Sequence, residues 1–149
     1  MKTCIRTPDT HSLIAPCGIN CSLCRAYLRK RNPCPGCNND TADVPVSRSR
    51  CVMKYCPEMR DEGPHFCYVC GHFPCPGLQK LDKRYRTRYG LSPIGNLLTI
   101  RERGMKTFLT SEQEKWQCRK CSSTVCMHTD ICPECGTRRR IEPLTSLPK

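Results

Sequence analysis

The sequence predicts a small metal-organised α+β fold, with a cysteine-rich knuckle-forming N-terminal half, short helices, and a C-terminal ribbon hairpin. Three observations carry this. Sixteen cysteines stand in 149 residues beside only three Phe and one Trp, so the chain is short of core-forming side chains and needs cross-links or metals for stability. Ten of those cysteines form five C-x2-C pairs: Cys21/Cys24, Cys34/Cys37, Cys67/Cys70, Cys118/Cys121 and Cys132/Cys135. Residues 76–117, by contrast, contain no cysteine and show helical periodicity.

Metals are favoured over disulfides on two grounds. The N-terminal stretch "MKTCIRTPDTHSLIAPC" has no apolar run of signal-peptide length, and no segment is long and apolar enough to span a membrane. The expected location is therefore cytoplasmic, where thiols stay reduced. A two-residue gap also lets both sulfurs of a pair point at one ion, whereas disulfides closing so small a loop are mostly redox-active.

Taken in order, residues 1–16 carry Cys4 and His11 without periodicity and read as a loosely held N-terminal arm. Residues 17–117 form a cysteine-rich metal-binding domain whose second half is helical. Its first part holds Cys17, Cys21, Cys24, Cys34, Cys37, Cys51, Cys56, Cys67, Cys70 and Cys75, all candidate metal ligands. "CGINCSLC" places Cys17, Cys21 and Cys24 in the C-x3-C-x2-C spacing that can hold an iron–sulfur cluster, with a distant fourth thiolate such as Cys34 or Cys75. The paired hooks suit zinc, which is redox-inert and takes tetrahedral thiolate cages. Zinc is the favoured metal here and an iron–sulfur cluster in the N-terminal half the alternative. Two four-ligand sites use eight of the ten thiols, the pairing stays open, and His65 or His72 could displace a thiolate.

In the cysteine-free stretch, Leu78, Leu81, Tyr85 and Tyr89 recur at spacings of three and four, an apolar stripe on a basic helix. Ser92 before Pro93 is an N-cap and first-turn pair, with Ile94, Leu97 and Leu98 on the buried face and Gly104 at the end. Met105, Phe108, Leu109 and Trp116 mark a further helix, which Thr110 and Ser111 either weaken or cap. Residues 118–140 read as a zinc ribbon and 141–149 as a tail. In "CRKCSSTVCMHTDICPECG", Cys118/Cys121 and Cys132/Cys135 are complete hooks separated by ten residues, enough for a hairpin back to the same ion. Pro133 sets a turn and Gly136 relieves crowding, while Cys126 and His128 are spare groups on the hairpin.

These residues resemble a family. "APCGINCSLCRAYL", "CPGC", "FCYVCGHFPC", "NLLTIRERG" and a Trp before the terminal "CRKC" are similar, in order and with matching gaps, to the bacterial and archaeal proteins of domain of unknown function 3795. The resemblance covers roughly residues 14–136. It implies one compact cysteine-rich unit followed by helices and a terminal ribbon that not all members have, and it implies no established activity.

Charge and motif content narrow the function. The formal charge is +12, but each four-thiolate zinc site carries about −2, so three sites would lower it to about +6. Basic residues gather in "RAYLRKR", "KLDKRYRTRYG" and "TRRR". Arg84, Arg86, Arg88, Arg138, Arg139 and Arg140 are the candidate nucleic-acid contacts, with guanidinium and ring faces available for stacking. No paired carboxylates, phosphate loop or Ser/His/Asp set stands out, so no catalytic residue is assigned and the enzyme reading ranks last. The sequence thus predicts a non-catalytic protein of two to three zinc ions that engages a protein partner or RNA/DNA and no membrane. The alternative is a small iron–sulfur electron-transfer or redox-sensing protein.

Overall fold

The computed structural model describes residues 13–37, 56 and 66–144. A 3-10 turn over Cys21–Leu23 leads into α1 (Arg25–Leu28), and a second 3-10 turn over Cys67–Val69 precedes three helices: α2 (Pro76–Tyr89), α3 (Pro93–Arg103) and α4 (Met105–Lys115). Among the described residues no strand forms. Isolated antiparallel bridges join Ile14 to Asn20, Gln117 to Thr124 and Ile131 to Arg138. The molecule is small, cysteine-rich and mostly helical, and none of its described helices is long and apolar enough to cross a membrane.

Local chemistry accounts for the helices. Pro76 opens α2 and Gly90 closes it in the left-handed region at φ 67°, where a Cβ would also collide with the Glu142 carbonyl oxygen. Along α2, Leu78 is fully buried, while Leu81, Tyr85 and Tyr89 lie half-buried on the same stripe. Ser92 caps α3 by accepting from the Gly95 N–H at 2.9 Å, Pro93 takes the first turn, and Ile94, Leu97 and Ile100 are buried. Gly104, at φ 88°, separates α3 from α4. Thr110 does not break α4, because its hydroxyl donates back to the Lys106 carbonyl at 3.0 Å.

Three apolar clusters organise the interior. Leu13, Ala15, Cys17, Cys21 and Cys67 pack on Leu78, Ile94 and Leu97. Ile14 packs instead with Ile100, Phe108 and Leu109. Residues 13–15, which the sequence reading placed in the arm, are therefore core: neighbouring side chains on this stretch point to opposite sides and fill two clusters. Residues 1–12 lie outside the described residues.

The third cluster joins Leu23 and Leu91 to Trp116, Cys118, Val125, Met127 and Cys132. It explains why the segment between the C-terminal hooks is not a regular hairpin. Each bridge closes around its own knuckle, and the apolar run Val125, Cys126, Met127 is drawn inward. There the Val125 N–H donates to the Trp116 carbonyl at 2.8 Å and the Met127 N–H to the Leu23 carbonyl at 2.9 Å. Burial of that run wins over pairing it in a ladder. Trp116 follows the same logic: it caps α4 rather than extending its stripe, and is 3% exposed.

Candidate metal centres

The two C-terminal knuckles repeat one backbone plan. Cys118 N–H donates to the Ser123 carbonyl and Ser122 N–H to the Cys118 carbonyl; likewise Cys132 N–H donates to Thr137 and Gly136 N–H to Cys132. The fifth residue of each plan is left-handed, Ser122 at φ 64° and Gly136 at φ 72°. A Cβ at Gly136 would meet nothing within 4 Å, so this glycine serves the backbone angle and not, as expected, the relief of crowding.

The plan converges four sulfurs. The Sγ atoms of Cys118, Cys121, Cys132 and Cys135 all lie within 4.8 Å of one another. Across the hooks, Cys118 to Cys135 and Cys121 to Cys132 are each 3.6 Å. Cys118 and Cys132 are buried, Cys121 and Cys135 exposed. The Thr137 hydroxyl, 3.1 Å from Cys135 Sγ, and its backbone bring that thiol down to about 6. The Ser123 hydroxyl, 2.7 Å from Cys121 Sγ, lowers Cys121. Burial pushes Cys132 up to about 11, a shift that a cation beside its sulfur would oppose.

The spare groups between the knuckles have other work. His128 Nδ1 accepts from the Arg25 N–H at 3.2 Å, which leaves Nε2 to donate to the Tyr85 hydroxyl at 3.1 Å. Its ring stands edge-on to Tyr89, with centroids 4.9 Å apart. Burial, and then the Arg25 charge, lower its pKa, so it is a neutral packing group with both nitrogens engaged. Cys126 is buried and lies in the electrostatic reach of Cys24, whose thiol is raised by burial and by the charges of Cys37 and Cys126. The sequence left Cys126 unassigned; its place in an apolar run between two complete hooks was the available signal that it points inward.

In the N-terminal half, the "CGINCSLC" loop is held from both sides. Gly18, at φ 91°, lies so close to α3 that a Cβ would collide with the Pro93 carbonyl oxygen, and its own carbonyl accepts from Asn96 Nδ2 at 2.9 Å. Asn20 Oδ1 accepts from the Ser22 N–H at 3.1 Å and caps the 3-10 turn that sets Cys21 against Cys24. The Cys34 N–H donates to the Ala26 carbonyl at 2.8 Å, bringing the next hook back, and the Cys37 N–H reaches Cys21 Sγ at 3.4 Å. The Cys37 sulfur, followed by burial and the Cys17 charge, pushes the Cys21 thiol far above its ordinary range. Cys17, Cys21, Cys24 and Cys37 thus share one neighbourhood. Cys67, Cys70 and Cys75 gather with Cys56 around a cavity, and Cys67 also packs in the cluster that holds Cys17 and Cys21. Cys51 and His65 lie outside the described residues, and His72 is exposed.

The six candidate nucleic-acid arginines divide. Arg86 donates to the buried Asp82 carboxylate at 2.6 Å. Arg139 lies 4.6 Å over the Trp116 ring and donates to the carbonyls of Thr129 and Met127. Both are internal braces. Arg84, Arg88, Arg138 and Arg140 are exposed; Arg138 also pairs with Asp130 at 2.9 Å.

Residues 13–80 match the model of a family described as "Protein of unknown function (DUF3795)". The match is shorter than the span the sequence motifs suggested. It takes in Cys17 to Cys75 and the first residues of α2, and it ends before "NLLTIRERG" and the C-terminal knuckles. No curated protein and no solved structure matches the chain.

Proposed function

We propose that this cysteine-rich chain is a non-catalytic zinc-binding protein whose C-terminal knuckles form a ribbon-like four-thiolate zinc site. The observation that carries the reading is the convergence of the four sulfurs. A zinc–sulfur bond of about 2.3 Å in a tetrahedron separates its sulfurs by about 3.8 Å, close to the 3.6 Å found across both hooks. Four protein ligands complete the coordination, which is the pattern of a structural site and leaves no position for substrate. Two of the four, Cys118 and Cys132, belong to the cluster that also holds Leu23, so an ion here ties the C-terminal segment to the family-matched residues 13–80.

With the centre structural, function resides in the surface it stabilises. Arg84, Arg88, Arg138 and Arg140 remain exposed on a chain of formal charge +12, which supports an acidic protein or a nucleic acid as partner. The decisive measurement is metal content. Cys132→Ser is expected to remove one zinc ion per chain from the purified protein, and an unchanged zinc content refutes the site.

A further inference from the structure

We propose that Cys56, Cys67, Cys70 and Cys75 hold an iron–sulfur cluster in the cavity at the start of α2. The inference does not depend on the C-terminal zinc.

The argument begins with how the thiols are arranged. The C-terminal sulfurs meet at a point, as a single ion requires. Here four cysteines stand around open space of about 30 Å3, more than the ~10–15 Å3 one water needs. Among the described residues, only the C-terminal four bring their sulfurs all within 4.8 Å of one another. An ion bonded at about 2.3 Å would draw its ligands together. A core of irons and sulfides instead fills the middle and gives each thiolate its own iron.

Local structure then favours negative charge at that place. The Cys67–Val69 turn, closed by the Cys70 N–H to the Cys67 carbonyl at 3.1 Å, sets two of the thiols. The His72 N–H lies 3.4 Å from Cys70 Sγ, a hydrogen bond onto the sulfur. Cys75 is the N-cap of the fourteen-residue α2, so its sulfur stands at the positive end of a long helix dipole. Phe73 and the fully buried Leu78 supply apolar wall, which limits the approach of water. Spacing in the sequence suggested Cys75 as a distant partner for Cys17, Cys21 and Cys24; the fold sets it on the same cavity as Cys67 and Cys70.

The test uses the full chain, purified without oxygen and then incubated with ferric iron, sulfide and a thiol, which reduces as much of the iron as a mixed-valence core needs. Expected are iron and acid-labile sulfide in equal amounts and broad visible absorption. Cys70→Ser and Cys56→Ser should each abolish the iron while keeping the zinc that Cys132→Ser removes. Cys132→Ser should keep the iron. Helical circular dichroism checks that the variants fold, and if both serine variants unfold, the wild-type iron content decides. A colourless wild-type protein, zinc in place of iron, or iron retained in a folded Cys56→Ser and Cys70→Ser pair overturns the proposal. Loss of the zinc site alone would sink the zinc reading and leave this one standing.

Discussion

Asp82 is fully buried on α2, and its two oxygens accept three hydrogen bonds that join α2 to the start of α3. Oδ1 accepts from Ser92 Oγ at 2.5 Å and from the Ile94 N–H at 3.0 Å, while Oδ2 accepts from Arg86 Nε at 2.6 Å. Ser92 and Ile94 lie at the N-terminal end of α3, where amides lack helical partners and the dipole is positive. Asp82→Ala strips all three bonds. The Ile94 amide loses its partner, at about 1–3 kcal/mol for a buried unsatisfied group. Arg86, whose side chain is only 15% exposed, keeps its charge without a counter-ion. Breaking such a pair costs about 3–5 kcal/mol in total, and the water that still reaches Arg86 through its 15% exposure relieves part of this and places the expectation at the lower end. That corresponds to a fall in melting temperature of roughly 6–12 °C for a chain of this size. Asp82→Asn keeps an acceptor for Ser92 and Ile94 and should lose less. The assay is urea unfolding followed by helical circular dichroism in zinc-containing buffer, with the metal held constant so that midpoints are comparable. A loss below about 1 kcal/mol for Asp82→Ala, or an equal loss for Asp82→Asn, refutes the role given to this carboxylate.

Two further outcomes follow from the same packing. Trp116, the single tryptophan, is 3% exposed and shares a cluster with Cys118 and Cys132, so its emission should shift to the red as a chelator withdraws zinc, before helical signal falls; an emission spectrum indifferent to zinc release contradicts the shared core. Glu112 is buried, and burial raises its pKa above the ordinary 4.5, although Lys115 and the facing donors of Asn20 and Trp116 oppose the shift. A carboxyl raised on folding binds its proton more tightly in the folded state, so its contribution to stability declines as pH rises from about 4.5 through the folded value. Glu112→Gln should therefore gain over wild type as pH rises through that window and hold the gain at neutrality; a difference independent of pH from 4.5 to 8 rules this out.

What the sequence determined alone is what depends on residues near one another in the chain. Ser92 and Pro93 start α3, Gly104 ends it, and Leu78, Leu81, Tyr85 and Tyr89 share one side of α2, because caps and helical stripes act over three or four residues. The convergence of the four C-terminal thiols was legible for the same reason: a two-residue gap makes a hook, and two hooks ten residues apart can return to one point. The DUF3795 pattern was legible in the order of the N-terminal motifs, though its matched extent stops at residue 80. Tertiary structure decided whatever needed a long-range partner. No spacing singles out Asp82, whose partners Ser92 and Ile94 lie ten and twelve residues on, and Arg86 and Arg139, read from the sequence as candidate nucleic-acid contacts, are held by a carboxylate and an indole. Cys126 comes within electrostatic reach of Cys24, and Cys56 lines one cavity with Cys67, Cys70 and Cys75, across stretches in which no periodicity operates. Thiols are chemically alike, so spacing cannot sort distant ones into sets. They are sorted by which loops are carried inward, and that is set by the burial of apolar runs such as Leu13 to Ala15 and Val125 to Met127.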